Sequence, residues 1–193
     1  VSPVTHAWTL RSERCTGDLA WLVGAHADLA RELGWDATFE AYVAQPMATS
    51  ILRAASYERL WIAERDGRSV GSVAIVQADF SSDHAVEVHK GTGLLVPRVV
   101  PVKLDTAQLR WFLVQPEVRG QGLGTVLLDQ AVAFSREAGY HRIILWTVRQ
   151  LAAAAHLYES AGFKKVHETP SKRWGADVVE EQYMLWLGPQ GRA

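Results

Sequence analysis

Arg119–Gly124 reads RGQGLG, and it stands between an apolar run, TAQLRWFLVQPEV, and an amphipathic one, TVLLDQAVAFSREAG. The first is dense in aromatic and β-branched residues, stops at Pro116 and predicts a strand. In the second, Leu123, Val126, Leu127, Ala131, Phe134 and Ala138 recur every three or four residues, which predicts one buried helix face ending at Gly139. A glycine run between a strand and a helix N-terminus leaves several N–H groups uncovered, backed by the positive end of the helix dipole. Such a turn suits an anion of pyrophosphate size. The Walker phosphate loop fails, because no Lys followed by Ser or Thr stands after the glycines. The dinucleotide fingerprint also fits poorly: Gly120, Gly122 and Gly124 are evenly spaced and lie late in the chain.

The flanking sequence extends the alternation. HAWTLRSE predicts a first strand, and Leu19, Leu22, Val23, Ala27, Leu29, Ala30 and Leu33 one face of a helix that starts at Thr16–Asp18 and stops at Gly34. The segment after it is helical in pattern but carries Pro46, which predicts two helical pieces. ERLWIAERDGRSVGSVAIVQAD predicts a hairpin turning at Asp66-Gly67. Residues 80–104 have no sustained period and read as a long excursion. HRIILWTV, RQLAAAAHLYESAG, FKKVHET and DVVEEQYMLWL predict strand, helix, strand and strand. The fold class is α/β (α+β): a mixed, mostly antiparallel sheet of six or seven strands with helices on both faces, in one domain over residues 1–193.

The whole chain narrows the function classes. Its 193 residues carry 48% hydrophobic and 21% charged residues, a balance that can bury a full core. A net charge of −1 gives no global attraction for nucleic acid or anionic lipid, so an anion must be held locally. The single cysteine, Cys15, and the absence of a long apolar run lead to the expectation of a cytoplasmic protein with no membrane partner. His6, His26, His141, His156 and His167 show no ligand spacing, so no metal is expected.

Arg119–Gly124 fits R-x-x-G-x-G, and further along AAHLYESAGF places Tyr158 on a helix ahead of Gly162-Phe163. This ordered pair resembles the GNAT superfamily of N-acetyltransferases over roughly residues 58–187, the excursion excluded. GDLAWLVGAHADLARELGWDATFEAYVA and RLWIAERDGRSVGSVAIV look like the acetyltransferase half of MarR-type regulator/N-acetyltransferase fusion proteins; no DNA-binding role is carried over from that half. The resemblance implies the GNAT fold with splayed central strands, acetyl-CoA as cofactor, and acetyl transfer to the amine of a small-molecule or amino-acid-like acceptor in a ternary complex. It also leaves two other classes open: a non-catalytic acyl-CoA-binding module, and acetylation of a protein N-terminus or lysine, with a peptide as the acceptor.

The resemblance assigns the pantetheine to the backbone of Phe112, Leu113 and Val114, and the pyrophosphate to Arg119, Gly120, Gln121, Gly122, Leu123, Gly124 and Thr125. Tyr158 is implied as the general acid. Leu151 stands seven residues before it, where the superfamily often has Asn, so cofactor contacts from that position must be apolar or backbone. The base is open, with Glu32, Glu117, Glu181, His84 and His89 as candidates. The acceptor pocket is expected near Glu32, Trp35, Trp146 and Trp174, whose aromatic walls suit a cationic or aromatic amine. The excursion is expected to cover this pocket or to contact a second subunit in a homodimer.

Overall fold

The computed structural model describes residues 8–78 and 105–188. The chain order is β1 (Thr9–Arg11), α1 (Asp18–Leu33), α2 (Thr38–Arg53), β2 (Arg59–Arg65), β3 (Arg68–Gln77), β4 (Thr106–Val114), a 3-10 turn (Pro116–Val118), α3 (Leu123–Glu137), β5 (Arg142–Val148), α4 (Ala152–Ser160), β6 (Lys164–Arg173) and β7 (Ala176–Trp186). Seven strands form one sheet in the order β1-β2-β3-β4-β5-β7-β6, antiparallel except for β4 against β5. The β2–β3 hairpin turns where expected, with Asp66 and Gly67 both at positive φ. The excursion, with His84 and His89, lies outside the described residues.

Two apolar layers sandwich the sheet. α3 and α4 bury Leu123, Leu127, Leu128, Ala131, Phe134 and Tyr158 against Val73, Ile75, Leu109, Ile143 and Leu145. α1 and α2 cover the other face with Leu22, Ala30, Phe39, Val43 and Met47 against Ala74, Val76 and Trp111. The second layer corrects the reading of Pro46: α2 runs unbroken through it. Proline removes one backbone donor, but Phe39, Val43 and Met47 form a buried stripe on both sides of it, and their common burial holds one helix together.

Two irregularities set up the centre of the sheet. β4 and β5 pair only over Thr106–Gln108 with Arg142–Ile144, after which β4 stays on β3 and β5 on β7. The edge of β4 from Leu109 onward is therefore without a strand neighbour on its β5 side. Within β4, Trp111 and Phe112 together stand opposite Val73, a bulge in which Trp111 takes φ 49°. The hydroxyl of the fully buried Ser72 donates to the Trp111 carbonyl at 2.7 Å and holds the bulge in place. The bulge shifts the alternation, so consecutive residues Arg110 and Trp111 both face α1 and α2, where Arg110 lies over Tyr42 and Trp111 joins the Trp35–Phe39–Val43 layer. Phe112 returns to the α4 face and packs on Tyr158.

Candidate active site

The glycine turn sits at the open end of the β4–β5 gap. Gly120 and Gly122 have φ 74° and 87°, and a Cβ on either would meet nothing within 4 Å. Gly122 caps α3 with no side-chain bond to its first N–H groups, which leaves that helix end uncovered. Gly124 has a different reason to be glycine. A Cβ there would come within 3.0 Å of Leu157 and 3.5 Å of Phe112, so it permits α3 to pack against α4 and β4. The other turn residues form its rim. Arg119 donates from Nε to the Val114 carbonyl at 3.0 Å, and Gln121 bridges Arg65 and the Glu117 carbonyl. Leu123 is buried in the core, so only its backbone can serve a ligand, and Thr125 is exposed on the first turn of α3.

A cavity of about 130 Å³ lies in the gap between β4 and β5 and extends toward α1 and α2; no residue of the glycine turn lines it. Its walls include Arg110–Phe112 of β4, Leu145–Val148 of β5, Leu151, and Tyr158 of α4. Tyr158 is buried against Phe112, Phe163 and Tyr183, and burial pushes its phenol above the ordinary range, so it stays protonated at neutral pH. Its hydroxyl has no hydrogen-bond partner among the described residues. Leu151 supplies the start of α4 and an apolar wall, as its side chain requires.

At the far end Trp35, Phe39, Tyr42 and Trp174 make an aromatic box, with ring centroids 4.7–6.2 Å apart. Trp174 reaches it from the tip of the β6–β7 hairpin, where Trp174 and Gly175 both take positive φ and the Trp174 carbonyl accepts the Asp36 N–H at 2.8 Å. Trp146 also lines the cavity, half open to solvent and edge-on to His167. Arg110 and Arg173 already lie 5.7 and 5.9 Å from the Tyr42 ring.

None of the carboxylates read from sequence as bases reaches this cavity. Glu32 is half exposed on α1, 3.9 Å from Arg119, and lines neither the cavity nor the aromatic box. Glu117 is exposed on the 3-10 turn. Glu181 is buried on the opposite side of β7, held by Lys165 at 3.2 Å, Arg149 at 3.5 Å and the Tyr183 hydroxyl at 3.3 Å, so its lone pairs are engaged. Strand alternation gives the cavity to its neighbour Glu180, which pairs with Arg173 at 3.3 Å.

Sequence reasoning missed His26. It is buried in α1 and lines the cavity, and its Nδ1 lies 2.7 Å from the Leu22 carbonyl. A carbonyl can only accept, so Nδ1 carries a proton and Nε2 of the neutral ring holds a lone pair. Burial lowers the imidazole's pKa and keeps it neutral. The available signal was a histidine on the apolar face of an amphipathic helix, one turn after Leu22.

An uncovered helix N-terminus, a strand edge beside it, and a protonated phenol without a partner define a site for an anionic, extended ligand and a proton-donating step. Residues 27–163 match the family model described as Acetyltransferase (GNAT) family. Human N-acetyltransferase 8B is 27% identical over 114 residues, which cover 59% of this chain and 42% of that protein. Mycothiol acetyltransferase of Cellulomonas flavigena is 30% identical over 54% of this chain and 26% of its own length. The chain thus spans less than half of either relative. Among solved structures, yncA of Salmonella typhimurium, determined with its cofactor acetyl-CoA, superimposes with a TM-score of 0.67 at 17% identity, covering 97% of this chain and 98% of that one; at this identity the likeness concerns the fold. The chain belongs to the GNAT family of acetyltransferases, which use acetyl-CoA as acyl donor.

Proposed function

We propose that this chain transfers an acetyl group from acetyl-CoA to the amine of a small-molecule or amino-acid-like acceptor by direct attack. The observation that carries this reading is the β4–β5 gap: one cavity joins Phe112 on the free edge of β4, Tyr158, His26 and the aromatic box. The uncovered N–H groups at the start of α3, and the free edge of β4 at Phe112, Leu113 and Val114, fit an anionic and amide-bearing cofactor.

When bound, acetyl-CoA supplies an acetyl thioester, whose C–S bond breaks as the acceptor's C–N bond forms. The chain's own groups handle the protons. Tyr158 Oη holds a proton for the leaving sulfur, and burial keeps it there at neutral pH. His26 Nε2 accepts the proton the amine sheds, since Nδ1 is tied to Leu22 and the ring is neutral. Arg119, turned onto Val114, closes the β4 end of the turn and can exchange this bond for a phosphate oxygen.

No helix among the described residues is long and apolar enough to cross a membrane, and a cytoplasmic location rests on the sequence composition. A free-thiol assay with acetyl-CoA and a panel of amines, amino acids and peptides tests the reading. Acetyl-CoA binding without turnover on any amine, equal in the Tyr158→Phe variant, would instead support an acyl-CoA-binding module.

A further inference from the structure

The bulge in β4 brings two donors to the acceptor end of the cavity, and neither has an acceptor among the described residues. Arg110 lies 5.7 Å from the rings of both Tyr42 and Trp111, with no carboxylate in ion-pair distance among the described residues. The indole N–H of Trp111 is buried without a partner. Every other charge in the cavity wall is compensated or absent. Glu180 is paired with Arg173, His26 is neutral, and Gln108, Thr147, Tyr42 and Tyr158 carry no charge. Among the described residues one uncompensated guanidinium is left, in a cavity that Trp35, Phe39 and Trp174 also line.

A simple amine would be a poor occupant, since its ammonium would enter beside Arg110 with no free carboxylate to meet it. We propose that Arg110 is the specificity residue of this site, and that the acceptor is an amine that also carries a carboxylate, on an apolar or aromatic body. The carboxylate pairs with the Arg110 guanidinium, whose planar fork matches it. The body lies against the aromatic box, and the amine is left for the gap that leads to Tyr158 and His26. Arg173 already has its charge met by Glu180 at 3.3 Å.

This proposal rests on the acetyltransferase reading, and its test separates the two. Phenylalanine and leucine are compared with phenethylamine and isopentylamine, which differ from them by the carboxylate. Acetylation is followed by thiol release, and binding by tryptophan fluorescence with and without acetyl-CoA, since Trp35 and Trp174 line the site. The acids are expected to exceed their amines by at least about tenfold in kcat/KM and in affinity, as for other hydrogen bonds between charged groups. Arg110→Gln should collapse that ratio toward one, and Arg110→Lys should restore part of it. Amines equal to or better than the acids, no binding of either acid, or a ratio unchanged in Arg110→Gln would overturn the proposal. Acetyl transfer without a carboxylate preference would sink only the role of Arg110. A carboxylate preference in binding without transfer to any amine would instead sink the acetyltransferase reading.

Discussion

Gly122→Ala is the substitution that isolates the cradle at the start of α3. Gly122 takes φ 87°, and a Cβ there would meet nothing within 4 Å, so sterics with neighbours add nothing to the cost. What remains is the left-handed backbone, which disfavours an L-residue by about 1–2 kcal/mol. In the free protein the variant can relax by swinging the first N–H groups of α3 away. On binding the cofactor's pyrophosphate it must return, and the same 1–2 kcal/mol then appears as roughly 5- to 30-fold weaker CoA binding. Gly139→Ala is the control. It lies at the other end of the same helix, at φ 86° and equally open, so it carries the same backbone penalty away from the ligand. Gly139→Ala should lose about 2–8 °C in Tm for a chain of this size, and Gly122→Ala less, by the part of the penalty that its relaxation avoids. Calorimetric titration with CoA should then show a weaker affinity for Gly122→Ala only. Equal CoA affinity in the two variants, with Gly122→Ala losing clearly less Tm than Gly139→Ala, would refute the assignment of this turn to the pyrophosphate.

Tyr158→Phe removes only the hydroxyl and keeps the ring contacts with Phe112 and Phe163, so kcat should fall about 10²- to 10⁴-fold while CoA affinity stays near the wild-type value in the same titration. Burial raises the Tyr158 pKa, so the group's contribution to stability is complete below the ordinary tyrosine value of about 10 and is lost as pH rises beyond it; the alkaline loss of Tm should therefore be shallower in the Phe variant. His26→Gln should lower kcat/KM by about 10²-fold. In the wild type, the acid limb of kcat due to this imidazole should fall below its ordinary pKa of about 6.5, because burial lowers it. Asp18, held by a two-pronged bond from Arg11 at 2.7 and 2.8 Å, has its pKa lowered chiefly by that bond. Its contribution is present above about pH 4 and lost below, so Asp18→Asn should cost about 1–3 kcal/mol by urea unfolding at pH 7, and the difference should shrink near pH 3.

Much of this architecture is local in origin and therefore visible in the chain. The buried face of α3, the Asp66-Gly67 hairpin and the glycine turn each follow from a periodicity or a backbone requirement spanning a few residues. Trp35 and Trp174 meet where the α1–α2 connection touches the last hairpin, while Trp146 lines the cavity from β5 and Glu32 lies away from it. The misses are tertiary. Whether Glu180 or Glu181 faces the cavity depends on the register of β7, and the cations that occupy Glu181 come from β6 and the end of β5. Pro46 reads as a break because the helix penalty is local while the burial that outweighs it is not. The bulge at Trp111 leaves no mark in TAQLRWFLV; without it Arg110 and Trp111 would face opposite layers. Gly124 was read as bare backbone for a ligand, and its neighbours Leu157 and Phe112 become visible only once α3, α4 and β4 are assembled.

The strand order β5-β7-β6 has a consequence for when the site comes into being. β7 enters the sheet between two strands that precede it in the chain, and it carries Glu180, while the hairpin it completes carries Trp174 onto the α1–α2 corner. The cofactor's turn can form from contacts within a short stretch, but the aromatic box joins α1 and α2 to residues more than a hundred positions later. During synthesis the acceptor end must therefore be the last part of the site to assemble. A nascent chain halted before β7 would hold the glycine turn but lack Glu180 and the completed hairpin that seats Trp174 in the aromatic box.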